Sequence, residues 1–306
     1  MSYGTAAAAG DDLVVIDWRS GEAALRRADG TWWKLPSAPF NGSLQMATAG
    51  NRAVTGGIAC TNSGCTKGEL AFAMLNEEHT AWTRLEAPKV PLSPSDTEMT
   101  TAPGPTKFAE FLIGKGTYLV DPDGEVSEWT PQPTPSVGVS AGDQGCTVGD
   151  SYLSVKYITK AEAAATPASE ITRDVYVQPV GGADEPVSVG PVPPGPMPQM
   201  LLCTTNHLTV SDNATQAILD VASRTWITGP SNLMEMSDSF ISPISGRLAS
   251  APDGSTAFLQ ATGNRIIKRA RGGLWDDTGV TGHVYSTNTA VLVIGEDRSV
   301  TTVWSP

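Results

Sequence analysis

The segments TAAAAG at residues 5–10, QMATAG at 45–50 and EMTTAP at 98–103 decide the fold, because each places small residues before a turn and an apolar strand. Four further segments share this pattern: QGCTVG at 144–149, LLCTTN at 201–206, RLASAP at 247–252 and HVYSTN at 283–288. The turn residues that close these segments lie 36 to 57 residues apart along the chain. The chain therefore contains seven degenerate repeats of one structural unit.

Each repeat continues in the same way after its turn, with an apolar strand, a third strand, a tight turn and a fourth strand that usually carries Trp. The fourth-strand segments are ADGTWWKL at 28–35, NEEHTAWTRL at 76–85, DPDGEVSEWTP at 121–131, DVASRTWITG at 220–229 and ARGGLWDD at 270–277, with EPVSVG at 185–190 as the variant without Trp. Four short strands every 40 to 50 residues or so are typical of propeller blades. We predict an all-β, seven-bladed β-propeller of four-stranded antiparallel blades that forms one domain over residues 1–306.

Two details of this pattern lead to further expectations. We interpret the fourth-strand tryptophans as core packing without a functional role; they are Trp33, Trp82, Trp129, Trp226 and Trp275. The last repeat ends at RSVTTVWSP, residues 298–306, which is its third strand. Blade 7 is therefore expected to be three-stranded or to be closed by the N-terminus, unless the chain is a piece of a longer protein.

Across its length the chain resembles the seven-bladed propeller superfamily in its secreted bacterial forms. The segments at 118–131 and 217–230 resemble the end of a kelch repeat, and VTGG at 54–57 resembles the double glycine of that family. ADGTWW and DPDGEVSEW are similar to the Asp-box turns of sialidase-type propellers, without their full Ser-x-Asp-x-Gly-x-Thr-Trp spacing. With the strands of a blade named a to d, the resemblance implies that strands a line a channel. It also implies that the d–a and b–c connections lie at one end of each blade, which we call its upper end.

Charge and cysteine usage indicate the environment of the protein. The chain has 20 Lys and Arg against 32 Asp and Glu, a net charge of −12, which opposes binding to nucleic acid or anionic lipid. No stretch approaches the ~20 apolar residues needed for membrane insertion. Cys60 and Cys65 close a short loop, and Cys146 and Cys203 occupy equivalent places in adjacent repeats, so both pairs are predicted disulfides. We expect a monomer that is extracellular or on the cell surface, although MSYGTAAAAG is not a signal sequence.

The candidate ligand site follows from the repeat alignment. The long connections, such as residues 158–174 and 229–246, all fall at the upper end of a blade, where loops on a rigid scaffold often carry function. Five of the seven segments begin with a side chain that could bind a polar ligand: Gln45, Glu98, Gln144, Arg247 and His283. Tyr285 in blade 7 is added because its strand position faces the channel. These side chains predict a site for a sugar, an amino acid or a peptide side chain; the alternative is a water-filled channel mouth.

Enzyme hypotheses have less support in the sequence. A sialidase needs an arginine triad, whereas Arg247 is the only arginine at the first position of a segment. Glycosidases need two facing carboxylates, and Glu98 has only Asp96 near it in sequence; Asp238, Asp276 and Asp277 on adjoining loops add negative potential. His79 and His207 fall in turns at the lower ends of their blades and His283 is alone at the upper ends, so no paired-histidine or metal centre is predicted. We predict no catalytic residue, no metal and no cofactor.

The leading hypothesis is an exported, non-catalytic module that binds a carbohydrate, a peptide or a protein partner. The alternatives are a sialidase-like or other glycoside-acting hydrolase, and the ectodomain of a larger sensor or receptor.

Overall fold

The structure is a computed structural model in which the placement of most of the chain is described. The described residues are 5–17, 21–40, 42–62, 67–92, 99–101, 106–114, 116–133, 142–157, 174–192, 200–203, 207–211, 216–228, 248–260, 262–270, 273 and 275–306.

Seven antiparallel sheets follow one another along the chain, each with its strands in sequence order. Blade 1 contains β1 (Thr5–Ala9), β2 (Asp12–Ile16), β3 (Ala23–Arg26) and β4 (Trp32–Leu35). Blade 2 contains β5 (Gly42–Ala49), β6 (Arg52–Cys60), β7 (Gly68–Leu75) and β8 (Trp82–Leu85), and the short β9 (Pro91–Leu92) also pairs with β7. Blade 3 contains β10 (Met99–Thr101), β11 (Ala109–Ile113), β12 (Gly116–Val120) and β13 (Val126–Trp129).

The remaining sheets repeat this order. Blade 4 contains β14 (Gly142–Val148), β15 (Ser151–Tyr157), β16 (Asp174–Pro179) and β17 (Val187–Pro191). Blade 5 contains β18 (Met200–Cys203), β19 (His207–Ser211), β20 (Gln216–Asp220) and β21 (Thr225–Thr228). Blade 6 contains β22 (Leu248–Ser250), β23 (Thr256–Gln260), a 3-10 turn (Thr262–Asn264), β24 (Arg265–Ala270) and β25 (Trp275–Thr281). Blade 7 contains β26 (His283–Ser286), β27 (Val291–Ile294) and β28 (Val300–Trp304).

This arrangement confirms the predicted all-β, seven-bladed propeller with mostly four-stranded antiparallel blades, and it makes the last blade three-stranded. Each of the seven small-residue segments forms the first strand of a sheet, as expected. Small side chains there allow neighbouring first strands to approach closely. In blades 1 and 2, the Thr48 hydroxyl donates to the carbonyl of Ala8 at 3.0 Å, and the Met46 N–H donates to the Thr5 hydroxyl at 3.1 Å.

The chain divides into two compact units, residues 1–130 with 285–306, and residues 131–284. In the first unit, apolar side chains of blades 1, 2 and 3 form buried clusters, among them Phe72, Phe111 and Tyr118. Tyr285, Leu292 and Ile294 of blade 7 also pack in this unit, against Ala6 and Leu13 of blade 1. In the second unit, a separate cluster joins blades 4 and 5.

The fourth-strand tryptophans differ in burial. Trp129 and Trp275 are buried, and Trp82 and Trp226 are half-buried against the core clusters, as the packing interpretation requires. That interpretation is wrong for Trp33, which is 57% exposed. Leu35 takes the buried position of the same strand, and the Trp33 ring lies instead against the Arg27 guanidinium, 5.2 Å from its carbon.

Candidate functional site

The predicted ligand residues that the structure describes lie near the start of the first strands of their own sheets. Gln45 is half-buried in β5, and His283 is the half-buried first residue of β26. Gln144 lies in β14, opposite Val155 of β15. Glu98 and Arg247 lie outside the described residues. The ligand roles of all five stay predictions.

Tyr285 lies two residues after His283 in β26 and is only 9% exposed. Its ring packs in the apolar cluster with Leu13 and Leu292. This packing gives Tyr285 a structural role, and its contact with a ligand stays a prediction.

The cysteines support part of the sequence interpretation. Cys60 at the end of β6 and Cys146 in β14 are each disulfide-bonded. Cys65 lies outside the described residues, and of Cys203 only the backbone is described. The pairings Cys60–Cys65 and Cys146–Cys203 therefore stay predictions.

A chain of three polar side chains lies at the upper end of blade 6 and the start of blade 7. Nδ1 of His283 is 3.2 Å from Oε1 of Gln260, and Nε2 of Gln260 donates to Oδ1 of Asn264 at 2.9 Å. Since the Gln260 oxygen can only accept, Nδ1 of His283 carries the proton. In the neutral imidazole, Nε2 is then the acceptor. Gln260, which is itself held by Asn264, therefore fixes the His283 imidazole in one orientation and one tautomer.

The local backbone explains why these residues meet. Gln260 ends β23, and the turn that follows contains Gly263 and Asn264 with φ of 72° and 58°, in the left-handed region that Gly and Asn tolerate best. The carbonyl of Asn264 accepts the Gly282 N–H at 2.7 Å, which ties the turn to the residue before His283. The b–c turn of blade 6 and the start of blade 7 are thereby joined.

An ion pair lies beside this chain, between Arg265 at the start of β24 and Asp277 in β25. The register of the two strands shifts here, from Arg265 opposite Thr281 to Ile267 opposite Asp277, so β25 bulges. The Arg265 guanidinium, and then the Gly279 N–H at 2.9 Å, hold the pKa of the Asp277 carboxyl below its usual range. Asp277 is therefore ionised at neutral pH, and its charge is balanced by Arg265.

We call His283, Gln260, Asn264, Arg265 and Asp277 the upper-end cluster. Gln260 is buried and supports its neighbours, so the groups that remain for a ligand are an oriented imidazole, the Asn264 amide, a guanidinium and a carboxylate, which suit a polar ligand with both donors and acceptors. The expectation that Asp276 and Asp277 lie on a loop is wrong, because both lie in β25, and the charge of Asp277 is paired with Arg265. Asp96 and Asp238 lie outside the described residues.

The sequence singled out His283 as a candidate but gave no indication of its partners. Gln260 and Asn264 are 23 and 19 residues before it, and only the fold brings them together. The one local signal is GNR at 263–265, where Gly followed by Asn indicates a turn with positive φ.

A second polar cluster lies at the opposite end of blades 5 and 6. Nδ1 of His207 is 3.1 Å from the Ser250 hydroxyl, and Arg269 donates from Nε to the carbonyl of Gly273 at 2.8 Å. Burial lowers the pKa of Arg269. His207 and Ser250 form a Ser–His pair that the sequence did not reveal, but both side chains are buried, so the pair presents no nucleophile to a substrate.

The third histidine has a structural role as well. His79 lies in the c–d turn of blade 2, as predicted, and its Nδ1 is 3.0 Å from Oδ2 of Asp12 in blade 1. Among the described residues, no group of three or more His, Cys, Asp or Glu side chains has the geometry of a metal site. The described helical segments include none long and apolar enough to span a membrane.

Comparison with known proteins confirms the architecture. No protein-family model matches the sequence, and no curated protein sequence matches it. Virginiamycin B lyase from Staphylococcus aureus resembles the chain with a TM-score of 0.55 at 9% identity, over 98% of this chain and 93% of that one. The chain has the seven-bladed β-propeller fold.

Two further solved structures resemble this propeller. The β-propeller domain of the Trilobed protease from Pyrococcus furiosus, which has an open velcro topology, matches with a TM-score of 0.51 at 8% identity, over 99% of this chain and 98% of that one. YCF48 bound to D1 peptide matches with a TM-score of 0.50 at 11% identity, over 98% of this chain and 92% of that one. At such identities the likeness shows the fold alone.

Proposed function

We propose that this propeller is an extracytoplasmic, non-catalytic recognition module that binds a carbohydrate, a peptide or a protein partner at the upper ends of its blades. The observation that carries the proposal is the upper-end cluster, in which Gln260 and Asn264 hold the His283 imidazole in place. A recognition site needs donors and acceptors that are fixed before the ligand arrives, because ordering them on binding weakens the affinity.

The chemistry of the cluster supports binding rather than catalysis. Acid–base hydrolysis of a glycoside needs two carboxylates with different proton affinities. The cluster holds one carboxylate, Asp277, whose ion pair with Arg265 favours the ionised form. Among the similar folds, YCF48 binds a peptide and virginiamycin B lyase is an enzyme, so the fold permits either class of function. The composition of the cluster favours the first.

The predicted location rests on the cysteines. Disulfides persist in oxidising compartments, and the bonded states of Cys60 and Cys146 support an extracellular or cell-surface site of action.

Binding of the purified chain to an array of glycans, cell-wall fragments and peptides tests this proposal. The key variant is His283→Gln, and the matched control is His79→Gln, which removes the histidine in the c–d turn of blade 2. We expect His283→Gln to weaken specific binding about tenfold, since one lost hydrogen bond costs about 1 kcal/mol or slightly more. His79→Gln should leave the affinity unchanged.

A second pair of variants, Glu98→Gln and Arg247→Met, tests the two predicted side chains that carry a full charge. Thermal unfolding confirms that each variant is folded. Specific binding that survives His283→Gln, Glu98→Gln and Arg247→Met at full strength would exclude the upper ends as the ligand site.

A further inference from the structure

Strand β4 carries two consecutive tryptophans that are both exposed, Trp32 at 50% and Trp33 at 57%. Among the described residues, one further large apolar side chain is exposed, that of Val187 in β17. Because successive strand residues point to opposite faces of a sheet, each face of β4 presents one exposed indole to a partner that pairs with the strand. Trp and Arg are also the side chains that contribute most to protein interfaces.

The backbone of β4 is open on one side. Among the described strands, only β3 pairs with it. The Arg27 N–H donates to the carbonyl of Thr31 at the turn, so the alternation of an antiparallel ladder makes Leu25 and Trp33 a hydrogen-bonded pair. The N–H and C=O groups of Trp32 and Lys34 then point away from β3. This edge can accept another strand.

Arg27 gives the edge a specific chemistry. Its guanidinium lies over the Trp33 ring, and its Nε is buried with no hydrogen-bond partner among the described groups. A carboxylate is the acceptor that fits a guanidinium fork best. Because the guanidinium already covers one face of Trp33, that face cannot stack on a sugar ring.

The surrounding charges favour an acidic partner although the whole chain has a net charge of −12. Arg26, Arg27 and Lys34 lie on or beside the edge. Asp29 offsets part of this charge, since it interacts with Arg27 and Arg26 while it accepts from the N–H and hydroxyl of Thr31 at 2.9 and 2.7 Å. Glu22 is 3.8 Å from the Lys34 ammonium, so the three cations outnumber these two carboxylates by one.

We propose that β4 binds an extended acidic peptide by strand addition. The peptide backbone pairs with Trp32 and Lys34, its carboxylates meet Arg27 and Lys34, and its apolar side chains cover the two indoles. This mode takes its affinity from main-chain hydrogen bonds and its specificity from alternate side chains. The edge belongs to the first unit and the upper-end cluster to the second. An experiment can therefore contradict this proposal without contradicting the proposed function, and the reverse.

Fluorescence anisotropy with the full chain tests the proposal, using a fluorescein-labelled decapeptide of sequence EVETEVETEV. Its comparison probes are KVKTKVKTKV, the acidic peptide with alternate backbone N–H groups methylated, and a polygalacturonate oligosaccharide. The protein variant is Trp32→Thr with Trp33→Thr, since Thr is also a good strand former. The matched control is Val187→Thr, which removes an exposed apolar side chain from the outer strand of another blade.

We expect the acidic peptide to bind the wild type and the Val187→Thr control equally. The acidic peptide should bind the double Trp variant at least tenfold more weakly than the wild type. The basic and the methylated peptides should bind the wild type at least tenfold more weakly than the acidic peptide does. Equal binding by the methylated peptide or by the double variant would overturn strand addition at β4, as would no binding of the acidic peptide. Binding of the oligosaccharide but not of the peptide would overturn the proposal in favour of a carbohydrate ligand. A wild-type dimer that becomes monomeric in the double variant would overturn it in favour of a second copy of the chain.

Discussion

At the scale of single residues, the side-chain amide of Gln260 connects two other members of the upper-end cluster. Gln260 donates to Asn264 and accepts from His283, so replacing its amide breaks both bonds. We expect Gln260→Met, which keeps the length of the side chain, to lower the free energy of unfolding by about 1–3 kcal/mol. Urea denaturation measures this change. An unchanged midpoint would mean that the amide bonds contribute nothing to the folded state.

The Arg265–Asp277 pair makes stability depend on pH. The guanidinium lowers the pKa of Asp277 in the folded chain, so the carboxylate stabilises the fold above its unfolded pKa of about 4. That contribution is lost as the pH falls through the lower, folded pKa. Asp277→Asn should therefore cost stability at pH 7 and cost progressively less below pH 4 or so. Urea denaturation at pH 7 and pH 3 measures both differences, and equal differences would contradict the ion pair.

At the scale of elements, blades 2 and 3 pack closely against each other at one glycine, Gly56. A Cβ on Gly56 in β6 would lie 2.5 Å from the Phe72 ring and 2.9 Å from that of Phe111. The two rings are 5.3 Å apart and meet edge to face, a favourable geometry. Gly56 is the first glycine of the VTGG segment, residues 54–57, and this packing leaves no room for a side chain there.

We expect Gly56→Ala to lower the free energy of unfolding by about 1–3 kcal/mol, because the added methyl group displaces Phe72 in a packed core. Chemical denaturation measures the change. The matched experiment is the same substitution with Phe72→Leu, which frees space beside the new methyl group. A double-mutant cycle without any coupling between the two sites would contradict this contact.

The strands of each blade were predictable because they depend on local patterns. Segments such as TAAAAG at 5–10 combine small residues with a turn, and each opens a sheet. Side-chain partners were less predictable, because they depend on tertiary geometry. The bulge in β25 that brings Asp277 to Arg265 has no sequence signature, and Gln260 meets His283 only through the fold. Trp33 follows the same local pattern as the buried Trp129 but is exposed, since Leu35 takes the buried position of β4.

At the scale of the whole molecule, the property to predict is whether the chain unfolds in one cooperative transition. The chain divides into two compact units, and the boundary after Val284 falls within the continuous strand β26. In that strand, His283 belongs to the unit that contains Gln260, whereas Tyr285 packs with Leu13 in the other. Loss of this one strand would remove contacts from both units. We therefore expect residues 1–306 to unfold as a single domain.

Scanning calorimetry tests this expectation with two matched core variants, Leu25→Ala in the first unit and Leu219→Ala in the second; both leucines are buried. Each substitution should cost about 2–5 kcal/mol. If the chain is one cooperative domain, the wild type shows one transition whose calorimetric and van't Hoff enthalpies agree, and each variant lowers that same transition. If the units unfold separately, the wild type shows two transitions and each variant lowers only one of them. In that case a ligand that binds the upper-end cluster would raise the Tm of the second unit alone, since binding stabilises only the structure that contains the site.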